Sequence, residues 1–166
     1  MAESNDAEKE ILTWEGYGNA ARELAHQVVD SGFVPDLILC VARGGLPVGG
    51  AVAYAMGIKN CFAISVEYYT GINERLDLPV ILAPELKVEE LKGLNVLVVD
   101  DVADTGNTLN LVMRTCEPQV SSLKTAVLYF KPQSVVKPDF IWKETDKWIV
   151  FPWSAKPGIL ESVRDA

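Results

Sequence analysis

Asp100, Asp101 and Asp104 stand with Thr105, Gly106, Asn107 and Thr108 in one stretch, NVLVVDDVADTGNTLNLV, from Asn95 to Val112. Two carboxylates side by side repel each other, so a strand that ends on them needs hydroxyl donors, a cation or a nearby positive group. Ribose cis-hydroxyls and Mg2+ both suit such a pair. The following ADTGNT has small residues, two hydroxyls and Gly106 just before a helical pattern. That is the composition of a turn whose backbone N–H groups wrap an anion at a helix N-terminus. Acids for a sugar, then amides for a phosphate, read together as a ribose-phosphate site. The competing reading is a polar loop in which Asp104, Thr105 or Asn107 only caps the helix.

Two other stretches carry chemistry. VARGGLP places Arg43 in a glycine-rich loop, where backbone amides can approach a ligand. The alternative is a tight turn with a solvated arginine. YFKP places Lys131 at a strand end, where a lysine is usually just solvated. The one histidine, His26, lies inside a helical pattern and is expected on a helix surface, which leaves no histidine pair for a dyad or a zinc site.

These residues must be positioned by regular elements. Tyr17, Ala21, Leu24 and Val28 recur at helical spacing, from a start at Thr13 to a stop at Gly32. DLILCV (Asp36 to Val41), CFAISVEYY, NVLVVD and LKTAVLYF are apolar runs expected as strands, the first and third buried on both faces. PVGGAVAYAM is a helix of small residues ended by Gly57, and a further helix follows Gly106 to about Cys116. PDFIW and KWIVF are short aromatic segments near the end. Tyr68 to Lys92 lacks a steady period and is expected as a functional loop or small flap.

Alternating strands and helices predict an α/β fold, a mainly parallel sheet flanked by helices with a small flap or hood region. The loops ARGG, DDVADTGNT and YFKP all follow predicted strands, so they share the sheet edge where ligands bind. The polar, acidic segment 1–10 is expected as a frayed tail, with one domain over 11–166.

Bulk properties narrow the classes. The chain has 166 residues, 49% of them hydrophobic, and a net charge of -8. That charge argues against a nucleic-acid backbone as partner. Cys40, Cys61 and Cys116 lack CxxC spacing and are expected as reduced thiols in or near the core. No signal-peptide pattern or membrane-length apolar run is visible, so a cytosolic location is expected. A Walker A loop is excluded, since no Gly-Lys-Ser/Thr follows the glycine. A two-component receiver domain has its acidic pair after the first strand, whereas two predicted strands already precede this one.

VLVVDDVADTGNTL resembles the phosphoribosyl-pyrophosphate signature of type I phosphoribosyltransferases: an apolar strand, two acids, a short spacer, then an acid with Thr-Gly-x-Thr. The resemblance runs over nearly the whole chain after the acidic tail. It looks closest to single-domain bacterial and archaeal 6-oxopurine enzymes, which act on hypoxanthine, guanine or xanthine. It implies the type I fold and purine salvage: transfer of 5-phosphoribose from phosphoribosyl pyrophosphate to a purine nitrogen with Mg2+, giving the nucleoside monophosphate and pyrophosphate. Relatives are commonly dimers or tetramers, so a homo-oligomer is implied.

The resemblance also assigns roles. Asp100 and Asp101 would hold the ribose hydroxyls and reach the metal indirectly, through ribose or water. Ala103, Asp104, Thr105, Gly106, Asn107 and Thr108 would complete the donor site, with Asp104 near the purine N7 as candidate general base. Ala42, Arg43 and Gly44 would bind pyrophosphate, with Gly45 as backbone support. Lys131 would contact the base's exocyclic oxygen, Trp148 would stack on the ring, and Ile149 or Val150 would meet its edge. Trp153 is expected in the core. Relatives often carry an acid after the PW pair, where this chain has Ser154, and a Ser-Tyr pair at the start of a closing loop, where it reads SVEYY. Arg75 is the expected loop cation over pyrophosphate. The alternatives are the same fold acting on adenine, orotate or uracil, or a regulator that binds the donor or a nucleotide without turnover.

Overall fold

The computed structural model describes residues 8–71, 74–81 and 87–160, with side chains for 8–66 and 87–160. Strand β1 (Lys9–Ile11) leads into helix α1 (Trp14–Asp30). Thr13 caps α1, its hydroxyl accepting from the Gly16 N–H at 3.0 Å. The α1 stripe Ala20, Ala21, Leu24, Ala25 and Val28 is buried, and His26 on the other face is exposed, as its spacing predicts. Gly32, at φ +81°, follows the helix end.

Next come β2 (Leu37–Ala42), α2 (Gly45–Met56), β3 (Cys61–Gly71), β4 (Glu74–Ile81), a 3₁₀ turn (Val88–Leu91), β5 (Asn95–Ala103) and α3 (Asn107–Cys116). The chain closes with β6 (Ser122–Phe130), β7 (Phe140–Glu144) and β8 (Trp148–Val150). The main sheet has the order β4-β3-β2-β5-β6-β7, parallel except for β4. This is the expected α/β architecture.

Period-2 alternation explains the buried strands. Ile38, Cys40, Leu97, Val99, Ala126 and Leu128 face one core with α1 and α2. Leu37, Leu39, Val41, Val96, Val98 and Val127 face a second core with α3. Each strand must therefore be apolar at every position. Truncating one such Leu to Ala costs about 2–5 kcal/mol.

Two expectations need correction. Lys9 and Glu10 are not part of a frayed tail: they pair with Trp148 and Ile149, because β8 has an open edge for β1. β5 does not stop at the acidic pair but runs on to Ala103, since Val102 and Ala103 pair with Tyr129 and Phe130. The stretch from Tyr68, expected as a functional loop or small flap, holds the end of β3 and all of β4. β3 continues to Gly71 and pairs antiparallel with β4, which gives the flap a hairpin form.

The cysteines are free thiols. Cys40 and Cys116 are buried and Cys61 is exposed, with the Cys40 and Cys61 sulfurs 3.5 Å apart across β2 and β3. Burial first, then the Cys61 thiol and Asp100, push Cys40 up to about 12. None of the helices among the described residues is long and apolar enough to cross a membrane.

Candidate active site

β2 and β5 are neighbours, and the chain leaves them in opposite directions, to β3 on one side and β6 on the other. A crevice opens at the carboxyl ends of such a strand pair. Ala42 to Gly45 stand at one lip and Asp100 to Ala103 at the other. The Ala42–Arg43 peptide is cis. The two lips touch through glycine. A Cβ on Gly45 would run into the Val99 carbonyl, and one on Gly44 would lie 2.6 Å from Asp101 Oδ1.

Asp100 is buried and Asp101 half-buried. The Asp101 N–H donates to Asp100 Oδ1 at 2.8 Å. Burial first, then the Asp101 charge, push the Asp100 carboxyl well above the usual carboxylate range, against the pull of that N–H. Burial also raises Asp101, opposed by hydrogen bonds with Asp100, the Val102 amide and the Trp153 indole. A desolvated carboxylate pair of this kind favours an arriving hydroxyl donor or cation.

A cleft of about 950 Å³ opens beside Asp101. Arg43, Gly44 and Asp101 form one wall, and the segment from Trp153 to Gly158 forms the other. Trp153 packs against the core, as expected, and also borders the cleft. One face stacks on Phe151, with ring centroids 5.0 Å apart and planes at 12°, while the residue lines the cleft and hydrogen-bonds Asp101. Ser154 lines the cleft beside it. No periodicity marks Trp153 in the sequence, because a tryptophan can pack and donate at once.

A second, cup-like cavity of about 80 Å³ lies between β5 and α3. Val102 to Gly106 wrap it, with Asp100, Thr108 and Leu109. Gly106 is the N-cap of α3 at φ +80° and makes no side-chain cap bond; Asn107 starts the helix. First-turn amides of a helix have no intrahelical acceptor, so this cup suits an anion. Asp104 does not cap the helix: its Oδ1 accepts from Gln133 Nε2 at 2.9 Å. The Thr105 hydroxyl accepts from the Asn107 N–H at 3.4 Å.

The turn after β6 is stitched to this cup. The Lys131 N–H donates to the Ala103 carbonyl at 3.0 Å and the Val135 N–H to the Thr105 carbonyl at 2.8 Å. A Cβ on Gly106 would run into Ser134 Oγ, so this packing and the positive φ both require glycine there. Lys131 is half-buried and makes no salt bridge among the described residues.

Trp148 is 67% exposed on β8, with Ile149 and Val150 half-buried beside it. The two-stranded β1–β8 sheet holds them, and the Leu12 N–H donates to the Val150 carbonyl at 3.0 Å. The 950 Å³ cleft is walled by Trp153 to Gly158 rather than by Trp148. Arg75 pairs through its backbone with Tyr69 in the flap hairpin, and its side chain lies outside the described residues.

The donor set bears on metals. Among the described residues, no group of three or more His, Cys, Asp or Glu side chains could hold an ion alone. Two adjacent carboxylates fit Mg2+ of the kind that keeps its waters and is carried largely by substrate phosphates.

Residues 7–157 match the family described as phosphoribosyl transferase domain. The chain is 31% identical over 164 residues to a xanthine-guanine phosphoribosyltransferase of Ruegeria sp. (strain TM1040), covering 92% of this chain and 89% of that protein. It is 32% identical over 145 residues to a xanthine-guanine phosphoribosyltransferase of Idiomarina loihiensis, covering 86% and 85%. The crystal structure of a purine phosphoribosyltransferase from Pyrococcus horikoshii Ot3 superposes with a TM-score of 0.77 at 36% identity, over 91% of this chain and 97% of that one. An acidic strand end, an anion cup at a helix start and an arginine-glycine lip across a crevice are thus explained together: this chain belongs to the phosphoribosyltransferase family.

Proposed function

We propose that the protein is a purine salvage enzyme that transfers 5-phosphoribose from phosphoribosyl pyrophosphate to a 6-oxopurine, giving the nucleoside monophosphate and pyrophosphate. One observation carries this reading: Asp101 lies against the Arg43–Gly44 lip, while its neighbour Asp100 lines the anion cup to which the Lys131 turn is bonded. The names of the relatives at 31% and 32% identity support a purine as acceptor.

Asp100 and Asp101 bind the ribose hydroxyls, and the Thr105–Thr108 amides take the 5'-phosphate. Arg43 meets the departing pyrophosphate with the charge it needs. Asp100 and Asp101 would hold Mg2+ indirectly, through ribose or water, and the ion would supply positive charge against the phosphates. Positive charge grows on the ribose as pyrophosphate leaves, and the two carboxylates stabilise it. Asp104 accepts the proton at the purine N7, Lys131 donates to the 6-oxygen and Trp148 stacks on the ring. Arg75 closes over pyrophosphate from the flap. The enzyme works in the cytosol as a homo-oligomer, with its catalytic domain beginning at β1.

The test is pyrophosphate release with hypoxanthine, guanine, xanthine and adenine in turn, each with Mg2+ and the donor. Turnover of at least one 6-oxopurine well above adenine is expected. Donor binding with no release for any base overturns the enzyme reading in favour of a non-catalytic regulator.

A further inference from the structure

The turn from Lys131 to Val135 lies along the strand exit from Ala103 to Thr105, and the bonds between them alternate. Lys131 N–H reaches the Ala103 carbonyl and Val135 N–H the Thr105 carbonyl, both through backbone. The middle bond is made by a side chain. Gln133 Nε2 donates to Asp104 Oδ1 at 2.9 Å. The Ser134 N–H closes the turn on the Lys131 carbonyl at 3.0 Å, which fixes the base of the Gln133 side chain. Both Gln133 and Asp104 are otherwise exposed, so neither gains much from burial. The bond therefore has little to do for the fold, and its effect falls on where the carboxylate points.

We propose that Gln133 is a positioning residue for Asp104: it holds Oδ1, leaves Oδ2 for the acceptor nitrogen, and ties the carboxylate to the same turn that carries Lys131. This rests on the reading of Asp104 as the proton acceptor. A donor from the Lys131 turn sets the proton acceptor and the base-reading ammonium in one frame, so an acceptor base that meets Lys131 also meets the carboxylate. The donor is neutral, and a primary amide has two N–H groups and a carbonyl. It orients the carboxylate without the competing charge that a lysine or arginine at 133 would bring.

Misplacing a reacting group by an ångström can lower a rate by about 10²-fold. Gln133→Met keeps the length of the side chain and removes the donor. It is expected to lower kcat about tenfold with donor KM within about twofold of wild type. Gln133→Arg restores an N–H of sufficient reach but adds a competing charge, and is expected to recover only part of that loss. In an Asp104→Asn background, Gln133→Met should change kcat less than twofold, because the carboxylate it orients is gone. Thermal melts establish that each variant is folded.

The outcomes separate the two ideas. If Asp104→Asn alone leaves kcat near wild type, the proton-acceptor reading fails, whatever Gln133 does. If Asp104→Asn lowers kcat strongly but Gln133→Met does not, the positioning role is overturned while the acceptor reading stands. A Gln133→Met loss of equal size in both backgrounds also overturns it, since that loss does not pass through Asp104.

Discussion

Gly44 lies against the Asp101 carboxylate so closely that a Cβ on residue 44 would sit 2.6 Å from Asp101 Oδ1. The arginine-glycine lip and the acidic strand end are thus one packed unit. Asp101 is also held in place, with Asp100, the Val102 amide and the Trp153 indole as hydrogen-bond partners. Gly44→Ala should displace this carboxylate while leaving both cores untouched. Calorimetric titration with the phosphoribosyl donor and Mg2+ is expected to show affinity lowered about tenfold or more, with a melting temperature within a few degrees of wild type. Unchanged affinity would separate the two lips functionally.

The acidic pair itself is expected to serve binding rather than stability. Burial disfavours the charged form of Asp100 and of Asp101 alike, so the pair is a strained feature of the fold. Asp100→Asn with Asp101→Asn should lose donor affinity by about two orders of magnitude, on the scale of hydrogen bonds to charged groups. The double variant should melt no lower than wild type. Intact donor affinity in the folded variant would refute the ribose-binding role.

Base choice is expected to rest on Lys131. An ammonium has three donors and no acceptor, so it pairs with a 6-oxygen and not with the amino group of adenine. A site built for one partner rejects an analogue that cannot pair by about 10⁴-fold. Lys131→Ala should lower kcat/KM for hypoxanthine, guanine and xanthine far more than for adenine. Trp148→Ala should weaken all purines together, because stacking reads the ring face. A Lys131→Ala variant with unchanged base preference would remove lysine from the base pocket.

A structural carboxylate away from the crevice makes a control. Asp139 accepts from Lys124 Nζ at 2.8 Å, from the Thr125 N–H at 2.9 Å and from the Thr125 hydroxyl at 3.0 Å. Burial raises its pKa, but these donors outweigh burial and leave it below the usual 3.8. A folded pKa below the unfolded one stabilises the protein at pH values above the unfolded value. That contribution disappears as pH falls below 3.8 through the folded value. Asp139→Asn is therefore expected to lose about 1–2 kcal/mol at neutral pH, a melting shift of several degrees. The gap to wild type should narrow as pH falls below 3.8 in paired melts.

Local pattern carried much of this protein in its sequence. The apolar strands, the α1 stripe, Gly57 and the order of elements follow from periods of 2 and 3.6, which are properties of the backbone and need no distant partner. The stretch from Asp100 to Thr108 was legible because its acids, hydroxyls and glycine stand together in one short segment. Tertiary structure alone decided the rest. Lys9 and Glu10 look like a tail until β8 offers them an edge. β5 runs past its acids because Tyr129 and Phe130 lie beside Val102 and Ala103. Gln133 gives no signal 29 residues from Asp104, and Trp153 reads only as core until the fold turns its indole toward Asp101. A hydrogen bond is set by three-dimensional reach and direction, and spacing along the chain constrains neither once residues stand on different elements.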